Sequence, residues 1–185
     1  MTDGAADPAA AVRPLLRVRQ TRDFTDEPVD AASLAAIADA ARWSGSSTNS
    51  QPWRFVIIRD PDTLRTIHDA GLPSTRSFAT VRAGIAIVMP EREGGGISLA
   101  YDEGRAAERV LIAASLLGLG AAIAWLGKDA RPIVASRLGV PADRFVRTAV
   151  AIGHPSAAGR QRKAPRGEAR LPREETVFEE RWPES

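Results

Sequence analysis

Leu34, Ile37, Ala38 and Ala41 fall at i, i+3, i+4 and i+7, the spacing of one helix face. Asp30 stands ahead of them as an N-cap, so the pattern predicts a helix ending near Trp43. A short helix over residues 14–18, carrying Leu15, Leu16 and Val18, and a turn over 25–28 lead into it. At residues 53–58 the period changes. Phe55, Val56, Ile57 and Ile58 are apolar without alternation, as in a strand covered on both faces. Asp60-Pro61 reads as an N-cap followed by proline at the first helical position, and Leu64 and Ile67 carry that helix to a stop at Gly71. Residues 84–89 predict a second buried strand. Residues 91–98, with three consecutive glycines, read as a flexible loop, either a lid or a linker.

The strongest periodic segment is 99–119. Ala106, Val110, Ala113, Ala114 and Leu117 make one stripe, and Leu111, Ile112 and Leu116 widen it. So wide an apolar surface predicts a central helix packed on both sides, with one side at a subunit interface. Gly118 and Gly120 close it. Residues 121–126 return as a strand, 129–138 form a helix stopped by Gly139, and 145–152 form a further strand. The uncharged run 110–126 is at the lower limit for a membrane span, but its glycines favour buried helix followed by buried strand. Residues 1–13 lack any period and read as a disordered tail. Residues 14–155 form one domain, and 156–185 form an extension. Val177, Phe178 and Trp182 near its end predict that the extension docks on something. Helices and strands in this order suit an α+β fold with a small mixed sheet.

Composition narrows the function without naming it. At 185 residues, 44% hydrophobic and 26% charged, the chain has the make-up of one globular domain. The net charge of +2 and 5% aromatic content give no basic face with interleaved aromatics, which argues against nucleic acid. The absence of cysteine excludes disulfides, a thiolate nucleophile and a zinc knuckle. It suits a cytoplasmic location, and no signal peptide is expected. His68 and His154 stand apart from any ligand-spaced cluster, so no metal site is expected. Asp102, Glu103 and Glu108 read as helix N-terminal charge on a solvated surface. Gly118-Leu119-Gly120 lacks the third glycine and follows a helix, so it is not a dinucleotide loop.

With no obvious acid, base or nucleophile, any chemistry falls to a bound cofactor. Arg19 and Arg22 are three apart, which on a helical turn places both guanidinium groups on one side, suited to phosphate. A second basic supply runs from Arg160 to Arg173. Ser44, Ser46, Ser47, Thr48, Asn49, Ser50 and Gln51 form a run of uncharged donors and acceptors between the first helix and the first strand. It is either a ligand wall or a solvated loop.

The order of these pieces resembles the FMN-dependent nitroreductase family. Arg19-x-x-Arg22-x-Phe24 and Pro28-Val29 precede the helix. Ser46 to Phe55, Asp102, the alanine-rich helix ending Gly118-Leu119-Gly120, and Gly167-Glu168-Ala169-Arg170-Leu171-Pro172 follow. The resemblance implies an α+β homodimer with a largely antiparallel sheet flanked by helices, a C-terminal extension wrapping the partner subunit, and FMN sites shared between chains. Arg19, Gln20 and Arg22 would hold the phosphate and ribityl chain, with Arg170 assisting. Gly45, Ser46, Ser47 and Asn49 would reach the flavin from the other subunit, and Ala124, Trp125, Leu126 and Gly127 would line its ring. Trp43 and Trp125 could stack on that ring or pack in the core. The chain departs from the family pattern at Val18, Gln20, Gly45 and Glu168. The implied activity is ping-pong reduction of a small acceptor, a nitroaromatic or quinone, by NAD(P)H through flavin N5. The alternatives are a dehydrogenase- or dehalogenase-type relative and a non-catalytic flavin-binding dimer.

Overall fold

The computed structural model describes residues 7–70, 73–91, 96–161 and 170–183. After a one-turn helix α1 (Pro8–Val12) and a 3-10 turn over Leu15–Arg17, the chain runs extended to α2 (Ala31–Arg42). Then come β1 (Arg54–Ile58), α3 (Pro61–Asp69), a 3-10 segment over Pro73–Ala79, and β2 (Ala83–Pro90). The long α4 (Gly96–Leu116), β3 (Gly120–Trp125), α5 (Ala130–Arg137), β4 (Arg144–Gly153) and the short α6 (Ala157–Arg160) follow. The strands form one antiparallel sheet in the order β1-β2-β4-β3. This is the expected α+β architecture, a largely antiparallel sheet flanked by helices. Among the described residues the parallel element is a single bridge between Gln20 and Ala121.

Burial on both faces explains the unbroken apolar run of the central strand β2. Along β2, Ile85, Ile87 and Met89 enter one core with α2 and α4, while Ala86 and Val88 enter a second core beneath α3 and α5. Each fully buried Ile or Leu contributes about 1.5–3 kcal/mol relative to exposure. β1 departs from the expectation of a strand buried on both faces. It lies at the sheet edge, with Arg54 exposed and Ile57 40% exposed. Its apolar run still serves both cores, Phe55 packing against the one with α2 and Val56 and Ile58 against the one beneath α3.

Helix boundaries follow their caps. Asp30 accepts from Ser33 N at 2.8 Å, and Asp60 accepts from Thr63 N at 2.9 Å, with Pro61 at the first position of α3. The expected stop at Gly71 lies outside the described residues. α4 starts at Gly96, so the C-terminal end of the expected loop 91–98 is helical; residues 92–95 lie outside the described residues. Gly118, at φ 74°, lets the helix end in a tight reversal in which Leu119 N donates to Ala114 O at 2.9 Å. Of the expected stripe on α4, Ala106, Val110, Ala113 and Ala114 are buried, whereas Leu116 and Leu117 are exposed. Among the described residues no helix is long and apolar enough to cross a membrane.

Asp102 and Glu103 overturn the expectation of a solvated acidic surface: only 2% and 3% of each is exposed. Their positions explain this. Leu99, Asp102, Glu103, Ala106 and Val110 share one helical face, and that face is the buried one. Glu108 is exposed, as expected.

Candidate functional site

Residues 18–24 are extended, so the reading of Arg19 and Arg22 on one helical turn fails. In extended backbone, side chains three apart leave on opposite sides. The segment lies along the β3 edge. Thr21 N donates to Ala121 O at 2.8 Å, and Gln20 Oε1 accepts from Ile123 N at 3.2 Å. The same Gln20 oxygen accepts from Arg22 Nη2 at 2.8 Å, which orients that guanidinium. Arg19 turns the other way, its Nη2 donating to the carbonyls of Gly159 and Arg160 at 3.3 and 2.7 Å. Burial and the neighbouring Arg76 lower the pKa of Arg22 below the ordinary arginine value. Among the described residues no carboxylate pairs with it.

The segment 124–127 continues from the same edge. Ala124 and Leu126 are buried in the second core, so only their backbone faces outward. Trp125 is 60% exposed and Trp43 is 71% exposed, so core packing is excluded for both. Ser74, which the sequence does not single out, clamps Trp125 at both backbone groups: its Oγ accepts from Trp125 N at 3.1 Å and donates to Trp125 O at 3.2 Å. Leu126 N donates to Arg147 O, and Leu126 O accepts from Arg131 Nε. The N–H of Gly127 has no protein acceptor among the described residues. Gln20 and Arg22 are thus brought beside the 121–125 edge.

The 44–51 loop is secured elsewhere. Thr48, Asn49 and Gln51 all have positive φ, at 51°, 55° and 46°. For residues other than glycine this costs of order 1–3 kcal/mol each. Gln51 N donates to Ser46 Oγ at 2.9 Å, and Ser47 N donates to both carboxylate oxygens of Asp102 at 3.1 Å. Arg105 Nη1 approaches the same carboxylate at 3.6 Å. Asp102 therefore acts as the loop's anchor, a role that its alignment with Leu99 and Ala106 on α4 could have signalled. Ser44 Oγ is buried with no hydrogen-bond partner among the described residues. Among the described residues, no hydrogen bond joins Gly45, Ser46, Ser47 or Asn49 to residues 19–22 or 124–127.

Arg170 lies in exposed backbone ahead of the Arg173–Glu175 turn, unconnected to Arg19 or Arg22 by hydrogen bonds among the described residues. Most of the basic run before it, and Glu168, lie outside the described residues. Phe178 and Trp182 pack edge to face at 4.9 Å between centroids, with Trp182 80% exposed. His68 Nδ1 lies 3.1 Å from Asp69 Oδ1, and His154 Nε2 lies 3.7 Å from Glu27 Oε1. Two surface cavities, of about 430 and 360 Å³, are lined by other residues altogether.

Residues 17–83 match the model of the nitroreductase family. A protein of Archaeoglobus fulgidus, provisionally named NADH dehydrogenase/NAD(P)H nitroreductase, is 28% identical over 145 residues, covering 74% of this chain and 80% of that protein. The crystal structure of a provisionally named nitroreductase in complex with FMN, from Desulfovibrio desulfuricans, superposes with a TM-score of 0.76 at 24% identity, covering 97% of this chain and all of that one. An FMN-dependent nitroreductase from Clostridium difficile superposes with a TM-score of 0.74 at 20% identity, covering 91% and 98%. The chain carries the nitroreductase fold, and the likeness to the nitroreductase family that its sequence shows is borne out.

Proposed function

We propose that this chain is an FMN-dependent oxidoreductase that uses NAD(P)H to reduce a small electron acceptor, acting as a homodimer. The observation that carries the reading is Arg22. It is a half-buried guanidinium oriented by Gln20, crowded by Arg76 and lacking a carboxylate partner among the described residues. Such a group is completed by an anion, and the phosphate of FMN is the anion that the family likeness supplies.

The donor set fits that cofactor. Arg22 would hold the phosphate, and Gln20 would fix its guanidinium by its own tie to the β3 edge, whereas Arg19 is turned away to the carbonyls of α6. The exposed face of Trp125 and the N–H of Gly127 would meet the ring, with Ser74 preventing Trp125 from shifting. When bound, FMN supplies a centre that accepts a hydride and passes its electrons to a second substrate. Gly45, Ser46, Ser47 and Asn49 would approach from the partner chain, since within one chain they are tied to α4. Ile97, Tyr101 and Leu116 are exposed along α4 and would be covered by the second copy, as would Phe178, Trp182 and Arg170 of the C-terminal extension.

The absorbance spectrum of the purified chain, before and after adding FMN, is the test. Flavin bands that co-elute with a dimer are expected, followed by NAD(P)H consumption with a quinone or nitroaromatic. Failure to retain FMN under any condition refutes the proposal. Retention without turnover leaves a flavin-binding dimer in its place.

A further inference from the structure

The larger cavity, of about 430 Å³, lies where the N-terminal end of α4 meets α5 and the start of β4. Arg131, Arg144 and Arg147 line it, together with Glu91, Gly96 and Phe145. All three arginines are half-buried, and each is fixed by a bond to the fold. Arg147 is neutralised by the buried Glu103, to which it donates from both Nε and Nη2. Among the described residues the other two have no ion-pair partner. Arg131 spends Nε on Leu126 O at 3.1 Å, and Arg144 spends Nη1 on Pro52 O at 3.4 Å. The guanidinium group has five N–H donors, so most remain on each side chain. Among the described residues neither Arg131 nor Arg144 has a carboxylate within ion-pair reach, and Glu91 is the single acid in the lining. α4 adds the positive end of a 21-residue helix whose first turn holds no acidic residue.

Two positioned, half-desolvated cations facing one cleft repel each other until an anion enters. A guanidinium grips a planar or tetrahedral oxyanion through paired N–H bonds. The cavity exceeds a lone phosphate and falls within the range of small-molecule sites, with Phe145 offering an apolar wall. We infer that this cleft binds a small molecule bearing a carboxylate or phosphate group, held by Arg131 and Arg144. The inference does not rest on the flavin reading, which uses other residues.

Calorimetric titration of the full chain with pyrophosphate and with citrate, at constant ionic strength and with or without saturating FMN, tests it. One bound anion per chain is expected, unaffected by FMN. The preferred probe tells phosphate from carboxylate. Arg131→Gln and Arg144→Gln each weaken binding tenfold or more, Glu91→Gln strengthens it several-fold, and Arg65→Gln, in the second cavity, leaves it unchanged. Circular dichroism checks that each variant folds. Should the arginine variants not fold, the Glu91→Gln arm decides, and unchanged or weaker binding overturns the inference. Absence of binding to both probes overturns it, as does binding that survives in folded arginine variants. A signal abolished by FMN also overturns it, placing the anion at Arg22 instead.

Discussion

Residues 18–24 and residues 44–51 are both polar connectors, yet the fold secures them by different means. The first is strapped along a sheet edge by main-chain and amide bonds, from Thr21 N to Ala121 O and from Ile123 N to Gln20 Oε1. Its side chains are left to point where the extended backbone sends them. The second carries three non-glycine residues at positive φ and hangs on one buried carboxylate, Asp102. A strap built from backbone tolerates exchange of its exposed side chains. A loop built on one buried acid does not tolerate loss of that acid.

The largest effect is expected from Asp102→Ala, which orphans Ser47 N and the facing Arg105. It should lower stability by about 1–3 kcal/mol in chemical denaturation and release the loop from its left-handed conformation. Unchanged stability would break the comparison. Next comes Gly159→Ala. A Cβ there clashes with the Asp23 carbonyl oxygen, so the strap must move off α6, at a cost of about 1–2 kcal/mol. Backbone amide shifts confined to residues 18–24 and their β3 partners would sharpen the contrast. Arg22→Ala should leave stability within about 0.5 kcal/mol, because the strap does not depend on that side chain. It should nevertheless weaken FMN binding about tenfold, or about 1.4 kcal/mol, by equilibrium titration.

The smallest effect lies outside both regions. Asp60 is held down to about 2 by the Thr63 hydroxyl first and Arg137 next. A depressed folded-state pKa contributes stability above the ordinary value of 3.8, and that contribution is lost as the pH falls towards about 2. Asp60→Asn should flatten the acid limb of the stability curve over that interval and leave both connectors unchanged. An unaltered limb would show that this cap contributes nothing there.

Much of the fold is legible in the sequence because its signals are local. Asp30 and Asp60 mark helix starts by capping chemistry, and the central strand β2 is apolar on every residue because both its faces are covered. What is not legible depends on tertiary contact. Arg19 and Arg22 read as helical neighbours because nothing local reveals that the segment pairs with a strand far along the chain. Gly96 to Ser98 read as loop because glycine is a poor helix former, yet α4 runs through them. Asp102 and Glu103 read as surface because they are charged. Their spacing from Leu99 and Ala106 already placed them inward, but only the partners, Ser47 N and Arg147, explain how burial is tolerated. The site is legible as a set of residue types, whereas the partition into sheet-edge and α4-anchored groups is not.

The strand order β1-β2-β4-β3 bears on how the molecule is made as well as on how it stands. β2 waits for β4, not for β3, the next strand to be synthesised. A chain emerging from the ribosome therefore holds the most apolar strand with one flank unsatisfied until residues 144–153 arrive. Unpaired, low-charge strands of that kind recruit others like themselves. α4, made in between, can cover one face of β2 during synthesis, but the open edge is closed only when β4 pairs with it.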